Sequence, residues 1–445
     1  MIELSPEIIT VLMFGGIIVG IAAGYPLAFI IFVTAVAVGY IVVGGPVFPL
    51  MYSQMFSLLR NYILLALPLF IYLGSMLGQS GLADRVYSSM YLWLSGFRGG
   101  LALLTILVGT VLAACVGVMG ASVAMLTIVA LPAMLKRGYN KPLACGSVAA
   151  GGTLGILIPP SIMMVVYGPM AGISVGKLFM AAFMPGFLLS FLYCIYIALR
   201  CFFKEELAPP IPLEERAGVP FLKKTSLLAI SLVPPMIIVL AVLGTIFLGI
   251  APPTEAAAVG SLAVTILTAA YRKLTWQVIK TVLTETMTYT ARGMAIGGAS
   301  IGFTAVFLSL GCGKVVQNLL LATPGGRWGV FAMVMFIYFI LGFFIEWLGI
   351  FFIMVPLLAP LAPILGFDPL WFGMMICVNL QTSFMTPPFA PAVYYVRGTS
   401  LPEWGVETID IIRGVTPFVF LIIIALVLCT VFPEIILWLP SKMIK

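Results

Sequence analysis

Long uncharged runs constrain this chain more than any other feature. Residues Thr225–Ile250 carry no charged side chain, and Val415–Leu439 carries none before Glu434. One helical crossing of a bilayer takes roughly 20 mostly apolar residues. A helix buried in a water-soluble protein would keep a polar face, and these runs show none. The chain is 62% hydrophobic and only 8% charged, against about 25% charged in soluble domains. It cannot cover itself with a polar surface, so the expected fold class is an all-α integral membrane protein.

Candidate spans fall at roughly 8–24, 27–44, 61–79, 142–173 and 176–200, then at 225–249, 256–271, 286–309, 370–398 and 415–439. Met1–Glu7 holds two acids and no basic side chain, so Ile8 onward reads as a retained span and not a secretory signal. The net charge of +7 is scattered through short loops, where it orients spans and does not mark nucleic-acid binding. The seven cysteines stand singly and read as small core residues. Histidine is absent, which removes the commonest general base and transition-metal ligand. No catalytic constellation is expected, and the chain does not read as an enzyme.

Two shorter pairs of apolar segments interrupt this order. Ala102–Cys115 and Ser122–Leu135 are each short for a crossing, with Arg98 before them and Lys136, Arg137 and Lys141 after them. Both ends therefore belong on the cytoplasmic side. The pair reads as a re-entrant hairpin with its tip at Gly117–Ser122; two plain spans would return the chain to the same side. The following span is interrupted by Gly155-Ile-Leu-Ile-Pro-Pro-Ser161, where two adjacent prolines remove two backbone donors and break the helix. The second half repeats this order. A hairpin of Val330–Leu341 and Ile350–Leu361 has its tip at Gly342–Gly349, and a span is broken at Thr386-Pro-Pro-Phe-Ala-Pro391. Tyr52–Arg60 and Trp276–Thr290 read as equivalent interfacial arms or ordinary surface helices. The domain reading is a first repeat over 1–200, a cytoplasmic linker over 201–224 and an inverted second repeat over 225–445. Inverted repeats with paired broken helices point to a midplane site in secondary transporters.

Anion recognition without a buried base would use the helix N-termini beside the hairpin tips and breaks. Unwound carbonyls there suit a hard cation such as sodium. Candidate cation-binding residues are Gly120, Ser122, Thr153, Pro159 and Ser161 in the first half, and Gly342, Glu346, Thr382, Ser383 and Thr386 in the second. Candidate substrate-binding residues are Ser122, Ser161, Thr386 and Pro387. Each hydroxyl has the competing role of bonding to its own helix. Glu346, inside an apolar run, reads as a cation ligand, a proton carrier or a structurally locked carboxylate. Thr254 and Glu255 read as a helix start.

At these motifs the chain resembles the large membrane subunit of the tripartite ATP-independent periplasmic (TRAP) transporters. The matching stretches are Gly120-Ala-Ser-Val-Ala124, Leu131-Pro-Ala-Met134, Arg137-Gly-Tyr139, Gly155–Ser161, Pro185-Gly186, Pro253-Thr-Glu-Ala-Ala-Ala258, Gly366-Phe-Asp-Pro369 and Thr386-Pro-Pro388. It departs from the commoner pattern at Ala121, at Glu346 and at Phe389-Ala390. The resemblance implies an elevator-type transporter of the bacterial inner membrane, taking up a small carboxylate or sulfonate with sodium ions. It also implies a small membrane subunit and a periplasmic substrate-binding protein as partners. A stand-alone inverted-repeat anion carrier is the alternative. A channel would need a selectivity ring and an ATP-driven pump a phosphate-binding glycine–lysine loop; the sequence shows neither.

Overall fold

The computed structural model describes residues 4–94, 97–209 and 221–443. Of the linker expected over 201–224, residues 210–220 lie outside them. Helices make up the fold, and no strand occurs among the described residues. Eight helices of this set are long and apolar enough to cross a membrane. Their outward faces carry large apolar side chains, such as Phe191, Ile237, Val259 and Val427, which water would penalise and lipid would not.

The chain is built as two inverted repeats. Each has three leading spans, a surface helix, a hairpin, a broken helix and a long final helix. A hairpin returns to its own side, so an odd number of crossings remains and the second half runs opposite to the first. The packing is reciprocal. Pro6–Ala22 packs on Cys312–Leu321 as Phe221–Phe247 packs on Leu82–Leu94, and Leu27–Val43 packs on Trp276–Ser309 as Pro253–Ala270 packs on Ala66–Gln79. These leading helices form a frame. The hairpins, broken helices and final helices Val175–Phe203 and Thr408–Val431 form a core against it.

Several expected boundaries are corrected. The first hairpin consists of Gly100–Val116 and Met119–Lys136, so its tip is Gly117-Val118 and Met119–Ser122 is already helical. Gly117 reverses the chain at φ +65, a conformation that costs other residues a Cβ clash. The second hairpin consists of Gly326–Leu341 and Trp347–Leu358, with its tip at residues 342–346. Trp276–Thr290 is no separate arm, because Trp276–Ser309 is one helix of 34 residues, about 51 Å long. Its first-half counterpart is split at Asn61, whose side chain caps a new turn by accepting from Ile63 N–H. The span expected over 415–439 ends at Val431 and restarts at Glu434, because Pro433 pushes Phe432 out of helical geometry. Pro252, not Thr254, is the cap of Pro253–Ala270, and Glu255 sits in its first turn.

Candidate functional site

The first hairpin seats its tip on its own broken helix. That helix runs Lys141–Thr153, tightens through Leu154–Ile156, passes Pro159-Pro160 and restarts as Ile162–Ala171. A Cβ on Gly117 would stand 2.6 Å from the Pro160 carbonyl oxygen, and one on Gly155 would stand 2.6 Å from Ser122 Oγ. Glycine at both positions is what lets tip and break touch. The second half does the same with Pro369–Met385 and Pro391–Thr399, where a Cβ on Gly342 would stand 2.2 Å from Ser383 Cβ.

The two halves also interlock. Met119–Lys136 packs on Pro391–Thr399, and Trp347–Leu358 packs on Ile162–Ala171. Two tyrosines at matching positions after the proline pairs complete this exchange. The Tyr395 ring lies over Gly120, where a Cβ would be 2.7 Å from Cζ, and the Tyr167 ring lies over Gly373, where a Cβ would be 2.6 Å from Cε1.

Most predicted hydroxyls are bonded within their own segment. Thr153 donates to the Ala150 carbonyl at 2.9 Å, Thr382 to Asn379 at 2.6 Å, Ser383 to Leu380 at 2.7 Å and Thr386 to Thr382 at 2.7 Å. Ser161 donates to the Ile156 carbonyl across the break. Ser122 differs: its Oγ is buried and has no hydrogen-bond partner, and it faces the broken helix at Gly155. A buried hydroxyl without a partner costs free energy unless a ligand or water completes it. The breaks themselves differ in setting. Pro159 is buried, whereas Pro387 is exposed.

A cavity of about 120 Å³ lies where frame and core meet. The core lines it with Gly117–Gly120, Ile156 and Ile162 from the first half and with Glu346–Leu348, Phe389, Pro391 and Tyr395 from the second. The frame contributes Leu67, Ile71, Tyr289, Arg292 and Gly293. Of the predicted residues, only Gly120 and Glu346 line it; Ser122, Thr153, Pro159, Ser161, Gly342, Thr382, Ser383, Thr386 and Pro387 do not.

The sequence reading sought anion recognition without a buried base and did not single out Arg292, which lines this cavity. Its guanidinium Nη2 lies 2.8 Å from Glu346 Oε2, with the Arg292 side chain 54% exposed and that of Glu346 19% exposed. The sequence signal was present: Arg292 is the only charged residue between Glu285 and Ser309. A guanidinium presents a planar fork of donors suited to a carboxylate or sulfonate. All seven cysteines are unpaired, six of them buried, in keeping with core positions. No cluster of histidine, cysteine or acidic side chains fit to hold a metal occurs among the described residues.

Comparison with known proteins agrees with this architecture. Residues 14–435 match the family model of the DctM component of the tripartite ATP-independent periplasmic transporter. The C4-dicarboxylate TRAP transporter large permease protein DctM of Pseudomonas aeruginosa is 29% identical over 87% of this chain and 88% of its own. The sialic acid TRAP transporter large permease protein SiaM of Vibrio cholerae is 29% identical over 97% of this chain and 96% of its own. Among solved structures, the Alcanivorax borkumensis YdaH transporter superposes with a TM-score of 0.62 at 15% identity, over 87% of this chain and 88% of its own; at that identity the likeness is one of fold. The chain therefore belongs to the DctM component family, the large membrane permease of tripartite ATP-independent periplasmic transporters.

Proposed function

We propose that this chain is the membrane subunit of a bacterial inner-membrane system that takes up a small carboxylate or sulfonate with sodium ions, the anion being delivered by a periplasmic binding protein. The observation that carries the reading is Arg292, a guanidinium at an otherwise mostly apolar cavity between frame and core. The cavity offers one fork for an anionic group, apolar and aromatic walls for the rest, and two glycine-lined hairpin contacts beside it. The two relatives above are named for C4-dicarboxylate and sialic acid, both of which carry carboxylates. They differ enough that the family alone does not choose the substrate.

Sodium is assigned to the paired tip-and-break contacts. The first such site comprises Ser122, Gly120, Thr153, Pro159 and Ser161, with the unpartnered Ser122 hydroxyl as its best-supported member. The second comprises Gly342, Thr382, Ser383 and Thr386. Glu346 is already neutralised by Arg292, which competes with a role as cation ligand. Substrate would remain beside the core while the core slides against the frame, in the elevator manner. A small membrane subunit would brace the frame in the bilayer.

The test is uptake into proteoliposomes containing this chain, the small subunit and the binding protein, with each component and sodium omitted in turn. Uptake requiring all of them supports the reading. Uptake by this chain alone would establish the stand-alone carrier instead, and sodium-independent uptake would remove the cation sites.

A further inference from the structure

We propose that Glu346 is a latch, holding Arg292 until the substrate's anionic group displaces it. The inference rests on the cavity being the substrate site and adds how that site is kept closed and what opens it.

The ion pair joins two bodies. Arg292 belongs to the frame helix Trp276–Ser309, and Glu346 to the tip of the second hairpin in the core. The frame residues Leu67 and Ile71 that also meet the cavity are apolar, and Gly117–Gly120 of the first hairpin carry no charge there. Apolar surfaces can slide past each other, whereas a guanidinium–carboxylate pair holds one register. At the cavity it is this pair that joins frame and core by charge.

Glu346 also has somewhere else to go. It is the N-cap of Trp347–Leu358, with extended backbone at φ −61 and ψ 142, yet its side chain makes no capping bond. A carboxylate at that position would normally accept from the N–H of the second or third residue and gain from the helix dipole. Here it forgoes the local bond and reaches Arg292. The side chain thus has two alternative partners, and an arriving carboxylate or sulfonate that occupies the Arg292 fork returns it to the cap. Capping offsets part of the cost of losing the ion pair, so exchange on the guanidinium is close to balanced. The same exchange removes the ionic tie between hairpin and frame, coupling anion binding to freedom of the core.

The test uses the reconstituted complex with succinate, sialic acid and isethionate as probe anions. For whichever is carried, Glu346→Gln removes the competitor and should lower KM about fivefold, since partly exposed ion pairs contribute up to about this factor. The sodium half-saturation should not move. Arg292→Gln should raise KM at least tenfold, and adding Glu346→Gln to it should change KM no further, because the two side chains act as one unit. A raised KM in Glu346→Gln, or a shifted sodium half-saturation, would overturn the latch and return Glu346 to cation binding. Uptake of none of the probes would count against the transport reading. A second arm leaves the latch testable in that event: hydrogen exchange of residues 343–349 without any anion should quicken several-fold in both single variants. Exchange equal to the unsubstituted chain would refute the tie.

Discussion

Gly74 provides the sharpest test of how the frame holds the core. It lies on the frame helix Ala66–Gln79, and a Cβ there would stand 1.9 Å from the Val116 carbonyl oxygen, at the tip of the first hairpin. Carbon and carbonyl oxygen meet comfortably at about 3.3 Å, so Gly74→Ala must drive helix and hairpin apart by roughly 1.4 Å. The obstacle is backbone on both sides and cannot rotate away. Such overpacking costs about 1–3 kcal/mol. If core and frame separate at this contact during transport, the cost falls on the present arrangement alone, and its population drops about 5- to 150-fold. Gly78→Ala is the control, one turn along the same helix, where the nearest atom is the flexible Met125 Cε at 3.5 Å. Both substitutions gain the same helix propensity, about 1 kcal/mol, so their difference isolates the contact. Thermal melting of the purified complex and initial uptake rates should show Gly74→Ala altered and Gly78→Ala near the parent. Equal behaviour of the two variants would refute the close contact and the argument built on it.

Other predictions follow from the same geometry. Ser122→Ala removes a buried hydroxyl without a partner, so in sodium-free buffer it should raise stability by about 1–3 kcal/mol, while raising the sodium half-saturation for uptake. Unchanged sodium dependence would take Ser122 off the list of ligands. Sodium should raise the melting temperature where potassium at equal ionic strength does not, reaching about 2.7 kcal/mol of stabilisation at a hundredfold excess over its Kd; identical curves in the two salts would remove the sodium sites. Gly342→Ala, with its added Cβ 2.2 Å from Ser383 Cβ, should destabilise by about 1–3 kcal/mol and weaken sodium dependence. Melting indistinguishable from the parent would show that hairpin and broken helix do not touch there.

Much of this architecture was legible because its punctuation is covalent. Glycine at 117 and 342 and the proline pairs at 159–160 and 387–388 mark where helices end. Pro234-Pro235, however, lies inside the unbroken helix Phe221–Phe247, so the pairing of each break with a hairpin carried the signal as much as residue type did. Polar content was a poorer guide. Trp276–Thr290 reads as an interfacial arm or surface helix because it mixes polar and apolar residues, yet Thr286 satisfies itself by donating to the Val282 carbonyl at 2.7 Å, and the helix continues through it. Pro433 lies in an apolar run that reads as one span, yet the residue before a proline resists helical geometry and the helix ends at Val431. The contacts of Tyr395 with Gly120 and of Arg292 with Glu346 join segments far apart in sequence, and no local pattern encodes them. Arg292 could still have been singled out, since a charge within an apolar span is itself a functional signal.

The most direct test is a cryo-EM structure of the assembled transporter with its carried anion and sodium. The account predicts anion density within hydrogen-bond reach of the Arg292 guanidinium, between Gly117–Gly120 and Tyr395, with the Glu346 carboxylate turned back onto its own helix. Anion density away from this cavity, with the Arg292–Glu346 pair intact, would contradict it.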